Sequence, residues 1–170
     1  MWSALSIFWD ILDIGHSEVC RILLENNVDK NPKENEGATP IHFAVQMGHL
    51  ETCKILLANE VDKNCQDNFG WTPLQLAAQD GRLEICKILL ENGVDKNLMD
   101  PNGNTPLHIA ARHGRLNICK NLIESGAEPD PRNNNGNTPL GLARQNRHLN
   151  VADYLRTLLK RPYHDEITLL

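Results

Sequence analysis

The dipeptide Thr-Pro stands at 39–40, 72–73, 105–106 and 138–139, each copy 33 residues beyond the last. Other residues keep the same interval. Alanine recurs at Ala44, Ala77, Ala110 and Ala143, and leucine at Leu23, Leu56, Leu89, Leu122 and Leu155. Glycine falls at Gly48, Gly81 and Gly114, and Asp-Lys-Asn closes three rows at 29–31, 62–64 and 95–97. A fixed period in this range marks a stacked repeat protein, in which one unit cannot bury its apolar face alone.

Each row reads as two helices and a turn. Threonine is a good N-cap and proline is pre-set for the first helical position, so Thr-Pro starts a helix. Glycine arrives nine residues after the threonine and stops it. A second helix is predicted from Leu50, Leu83 and Leu116, with apolar residues at helical spacing such as Leu83, Cys86, Leu89 and Leu90. It ends around Asn59, Gly93 and Gly126. Between rows, stretches such as "VDKNCQDNFGW" and "VDKNLMDPNGN" are rich in Asn, Asp and Gly and read as tight turns or hairpins.

The full rows "GNTPLHIAARHGRLNICKNLIESGAEPD" and "GATPIHFAVQMGHLETCKILL" carry Thr-Pro-x-His, paired or near-paired small residues and glycine in one register. In this the chain closely resembles the ankyrin repeat family, over residues 15 to about 160. The resemblance implies an all-α solenoid of stacked antiparallel helix pairs, with β-hairpin-like turns projecting sideways and a concave face. One ankyrin domain is expected over 1–161. It divides into a degenerate first repeat (1–34), full repeats at 35–67, 68–100 and 101–133, and a C-terminal capping repeat (134–161). Arg144, Arg147 and Arg156 replace small or apolar residues in that last row, as a polar outer face requires. The first row has "SIFWDILDI" in place of Thr-Pro-x-His, and its Trp2, Ile7, Phe8 and Trp9 are expected to fold over the first repeat.

Four of the five cysteines, Cys20, Cys53, Cys86 and Cys119, share the period. Equivalent helices pack about 8–10 Å apart, while the Cα atoms of a disulfide must approach within about 7 Å. These thiols are therefore expected as small apolar core residues of the second helices. A zinc site built from His16, Cys20, His49 and Cys53 is the rival reading, disfavoured because the histidines fit the repeat register. Cys65 lies off the series in a turn and is expected to be exposed. His42 and His108 belong to Thr-Pro-x-His, which the family uses structurally, and Gln75 and Gly141 take their place in other rows. No nucleophilic triad, paired-carboxylate site or phosphate loop is present in the sequence, so no catalytic residue, metal ligand or cofactor is predicted.

Charge narrows the partner. The net charge is −5 and the 17 Lys and Arg are scattered, so no nucleic-acid-binding face is expected. The start, "MWSALSIFWDILDIGH", breaks at Asp10 and Asp13 and has neither a basic leader nor the length of a membrane span. Cytoplasmic residence is expected, with the nucleus as the second possibility, and the chain is expected to be a monomer. An odd number of cysteines fits the same compartment.

The resemblance implies a non-catalytic module that binds a protein partner through turn tips and concave helix faces. By register the predicted contact residues are Asn68, Phe69, Trp71, Asn102 and Asn104 on the tips, with Gln46, Met47, Gln79, Asp80, Arg112 and His113 at the helix ends. Asn35, Glu36, Ala38, Asn134, Asn135, Asn137, Gln145 and Asn146 occupy the same places in the outer rows. Phe69 and Trp71 stand out, because neighbouring rows carry other residues there and exposed aromatics are favoured interface anchors. The alternative is tethering through the flexible tail 162–170, where Thr168 and Leu170 end a segment resembling a PDZ-domain or sorting-adaptor ligand. The family also implies that Asn31, Asn64 and Asn97 occupy a position some ankyrin proteins have hydroxylated, although capping the hairpin is the expected role.

Overall fold

A computed structural model describes residues 16–26 and 28–159. Among these the secondary structure is helix and turn, with no strand. The helices are α1 (Ser17–Glu25), α2 (Pro40–Met47), α3 (Leu50–Ala58), α4 (Pro73–Asp80), α5 (Leu83–Glu91), α6 (Pro106–Arg112), α7 (Leu116–Glu124), α8 (Pro139–Gln145) and α9 (Leu149–Leu159). They form two layers. The first helices α2, α4, α6 and α8 pack each on the next, as do the second helices α1, α3, α5, α7 and α9. Each first helix also packs on the second helix that follows it.

The Thr-Pro reading holds at the level of single hydrogen bonds. Thr39, Thr72, Thr105 and Thr138 are N-caps in extended backbone conformation, with proline in the first turn. At α4 the bonds are reciprocal: Gln75 N–H donates to Thr72 Oγ1 at 3.2 Å, and Thr72 N–H donates to Gln75 Oε1 at 2.9 Å. Such a cap contributes about 1 kcal/mol. The first helix then stops where the chain turns left-handed, at Gly48 and Gly81. Glycine is favoured here by its positive φ, and a side chain would also have to displace a neighbour. A Cβ at Gly48 would sit 2.8 Å from the guanidinium carbon of Arg82, which donates to the Gln46 carbonyl at 3.2 Å. Arg115 repeats this contact one row on, donating to the Gln79 carbonyl at 3.1 Å. Each arginine places positive charge on the last turn of the preceding first helix, where the helix dipole favours it.

The periodic cysteines are core. Cys20, Cys53, Cys86 and Cys119 are fully buried and unbridged, in one apolar cluster with Leu56, Leu89, Leu122 and Leu155; in the first row Leu24 is the buried leucine and the periodic Leu23 is only partly buried. Burial pushes the Cys20 thiol up to about 11 and the other three to about 12, leaving them protonated and inert at neutral pH. Among the described residues no group of three or more His, Cys, Asp and Glu converges as metal ligands would. Cys65 corrects its expectation. It is buried, and its sulfur lies 3.2 Å from Thr39 Oγ1 and 3.7 Å from His42 Nδ1. Burial raises this thiol also.

In the last pair, Arg144, Arg147 and Arg156 lie exposed, and Arg156 pairs with Asp153 at 2.8 Å. The apolar cluster Trp2, Ile7, Phe8 and Trp9 and the tail from 160 lie outside the described residues.

Candidate partner-binding groove

Four tip turns, at 34–38, 67–71, 100–104 and 133–137, share one hydrogen-bond plan. In each, the first residue's N–H donates to the carbonyl of the fifth, at 3.0–3.1 Å. The side chain of the first residue closes the turn from inside. Asp67 Oδ1 accepts from the N–H groups of Phe69 (2.9 Å) and Trp71 (2.8 Å). Glu34, Asp100 and Asn133 do the same in their turns. An acceptor side chain at this position makes the turn locally self-sufficient.

The tips then stack. Asn68 N–H donates to the Glu36 carbonyl (2.8 Å) and its side-chain amide to the Asn35 carbonyl (3.2 Å). Asn134 repeats both bonds to Asn102 and Pro101. Pro101 stands at the same place between them and has no N–H to give, so its ring lies against Gly70 instead. The amide of Asn68, predicted as a contact residue, is thus spent on stacking.

Between the first two tips and helices α2 and α4 lies a groove of about 260 Å³. Its apolar lining is Ala38, Phe43, Phe69, Trp71 and Leu76, and its charged lining is Glu34, Glu36 and Asp67. Gln46 and Gln79 line it as well. No lysine or arginine does. The ion pairs among the described residues are Arg21–Glu18, Lys54–Glu51, Lys87–Glu84 and Arg156–Asp153, all on second helices. None of them involves the groove carboxylates.

The aromatic pair divides. Phe69 is 59% exposed, whereas Trp71 is half-buried and packs against the core while lining the groove. The expectation that both stand free on the turn is corrected for Trp71. His42 ties the groove together: Thr39 N–H donates to its Nδ1 (3.2 Å), and its Nε2 lies 3.0 Å from the Trp71 carbonyl. An accepting Nδ1 fixes the proton on Nε2, which therefore donates to that carbonyl. Burial lowers the basicity of the ring, opposed by the Trp71 carbonyl and by Asp67. His108 is held in the same way against the Asn137 carbonyl. Gln75 bridges with its side-chain amide to the carbonyls of Leu98 and Asn104. Thr-Pro-x-His is thus a cap within one repeat and a tie to the next.

The remaining predicted contact residues lie away from the groove. Met47, Asp80, Asn102 and His113 are exposed, and Arg112 is half-exposed. Asn104 closes its tip turn but is not exposed there. It is 1% exposed, with its amide 3.0 Å from Asp100 Oδ2 and its oxygen accepting from Asn133 at 2.8 Å. His113 is made less basic by partial burial and then by Arg115 and Arg112. A second cleft, of about 350 Å³, lies where α5 and α7 begin, with Arg115 as its charged lining residue and no aromatic side chain. Sequence reasoning missed Glu34, Asp67, Phe43 and Leu76 as groove residues. Phe43 and Leu76 share an apolar register with Ile109 and Leu142, which are buried, so the pattern alone does not set them apart from core.

Asn31, Asn64 and Asn97 place their side-chain oxygens on the backbone N–H of Asp62, Asp95 and Glu128, each one repeat further along, at 2.8, 2.8 and 3.2 Å. Their structural role therefore joins successive loops rather than capping one.

Two layers of helices with side-facing turns at constant period define a helical repeat solenoid. The family model for ankyrin repeats matches three times, over residues 7–100, 51–133 and 92–163. The chain belongs to the ankyrin-repeat family, whose repeats are generally protein-interaction modules. A search of curated proteins gave no match. Among the described residues no helix is long and apolar enough to cross a membrane.

Proposed function

We propose that the chain is a non-catalytic scaffold, adaptor or competitive inhibitor that holds a protein partner over the groove between the 34–38 and 67–71 turns. The observation that carries this is Phe69, a large apolar side chain held 59% exposed on a turn whose backbone N–H groups are all hydrogen-bonded. Folding leaves more than half of this ring in water, and a partner that covers it gains the desolvation of that exposed part. Gln46, Gln79 and Trp71 complete the contact. A standard interface of about 800 Å² per partner reaches past the groove, which brings in Met47, Asp80, Asn102, Arg112 and His113 as its periphery.

The test is affinity capture by the intact chain, a Phe69→Ala variant and a chain ending at Glu166. Loss of a partner by Phe69→Ala alone, with affinity down about 30-fold, supports the groove; that is the roughly 2 kcal/mol of a hot-spot residue. Loss on truncation alone transfers the function to Thr168 and Leu170.

A further inference from the structure

We propose that the occupant of this groove is a basic, apolar peptide segment, with a lysine or arginine beside a leucine-sized side chain. The inference rests on the groove reading and adds the chemistry of the partner. Three carboxylates, Glu34, Glu36 and Asp67, share a lining with Phe43, Phe69, Trp71 and Leu76 that holds no lysine or arginine. His42 also lines it, with burial lowering its basicity, and the cation acting on that ring is Lys33, outside the lining and outnumbered by the carboxylates. The turn-closing bonds use Glu34 Oε1 and Asp67 Oδ1, leaving one oxygen on each carboxylate outside those bonds. Glu36 is exposed. At about 260 Å³ the space falls below the roughly 300–1,000 Å³ of small-molecule pockets and suits inserted side chains. A lysine or arginine matches both halves of such a lining. Its methylene stem covers apolar surface while the head stays in water among carboxylates, and an aromatic face adds a cation–π contribution. An acidic segment would instead meet three like charges.

The test titrates the isotope-labelled full chain with three nonapeptides, alternating Lys-Leu, Glu-Leu and Lys-Ser, followed by amide and indole NMR shifts. The Lys-Leu peptide is expected to give saturable shifts at Phe69 and Trp71, weakening as salt is raised. The Glu-Leu peptide is expected not to bind, and the Lys-Ser peptide to bind at least tenfold more weakly. Glu36→Lys keeps the carbonyl that Asn68 uses and is expected to weaken Lys-Leu binding at least tenfold with an unchanged melting temperature. Phe69→Ala is expected to do likewise. Equal binding of Glu-Leu, indifference to Glu36→Lys, shifts scattered away from the groove, or no saturable shift at all would each overturn the proposal. The two readings fail separately. A captured partner lost on Phe69→Ala but indifferent to Glu36→Lys leaves the groove standing without its basic occupant, and one indifferent to both removes the groove itself.

Discussion

The turns at 67–71 and 100–104 have the same backbone and opposite surfaces. Both close on an aspartate, Asp67 or Asp100, whose Oδ1 accepts two N–H bonds at 2.8–2.9 Å. In the first the fifth residue is Trp71, half-buried beside an open groove. In the second it is Asn104, buried in a hydrogen-bonded ladder with Asp100 and Asn133. One turn leaves an apolar opening edged with carboxylates, and the other fills the same place with amides. Beyond them the helix ends change from Met47 and Asp80 to Arg112 and His113. Stacking fixes the residues that hold turn and core, so the chemistry that differs between repeats sits where stacking asks nothing.

If the halves differ only at the surface, their cores must cost the same to damage. Leu56→Ala and Leu122→Ala, both at fully buried positions, are each expected to destabilise by about 2–5 kcal/mol. Denaturant midpoints of the two variants should fall close together, and Leu89→Ala between them in position should match. A large disparity would mean that the halves differ in packing as well as in surface.

Next in size is the ladder itself. Asn104→Ala leaves Asp100 Oδ2 and the amide of Asn133 without these partners and is expected to cost about 1–3 kcal/mol in a urea melt. Phe69→Ala, a larger truncation by volume, is expected to stay within about 0.5 kcal/mol, because most of its ring is already exposed. Reversal of that order would break the contrast between a closed half and an open one.

The third position of the first helices offers a smaller, pH-dependent effect. His42 and His108 are held neutral by burial, so the folded chain binds fewer protons there than the unfolded chain does. Stability is therefore complete above the ordinary histidine value of about 6.5 and declines as pH falls below it. Gln75 already bridges without titrating. A His42→Gln/His108→Gln double variant should flatten the decline between about pH 7 and 5, measured as melting temperature against pH. An unchanged slope would assign the acid sensitivity to other groups.

Thr52 breaks its own register. Ile85, Ile118 and Val151 stand at the equivalent positions, and the buried hydroxyl of Thr52 has no hydrogen-bond partner. Thr52→Ile is expected to raise stability by about 1 kcal/mol, read from a denaturant midpoint. A loss would mean that the N-terminal half packs too tightly for the side chain its neighbours use.

What could be read from the sequence was whatever every repeat must do. Thr-Pro starts, glycine stops and the cysteine positions follow from backbone geometry and core volume, and those constraints recur in each row. Cys65 was misread although a signal existed: its equivalents Pro32 and Pro131 are buried and Leu98 is half-buried, an apolar row crossing an otherwise polar loop. Asn104 was misread because asparagine at a turn suggests solvent, and its partners Asp100 and Asn133 lie four and 29 residues away. The groove was half legible. Phe69 announced itself as an aromatic at a tip, but Glu34 and Asp67 sit among the many polar residues of the turns and drew no reading of their own. Their shared charge emerges only when two repeats are set side by side.

The smallest effect separates interior repeats from their departures at two helix ends. The second helices α5 and α7 are followed by Gly93 and Gly126 in left-handed conformation, while Glu60 holds the equivalent place after α3 with φ +58°. Arg147, where other first helices have glycine, is also left-handed at φ +62°. A side chain there costs about 1–2 kcal/mol relative to right-handed backbone, and glycine returns part of that gain as unfolded-state entropy. Glu60→Gly and Arg147→Gly are each expected to raise stability by at most about 1 kcal/mol, additively, since separate sites sum. Thermal melts of the single and double variants check this. If Arg147→Gly destabilises instead, the arginine contributes through its side chain on the exposed face of the last pair, and that face is then set apart by more than its polarity.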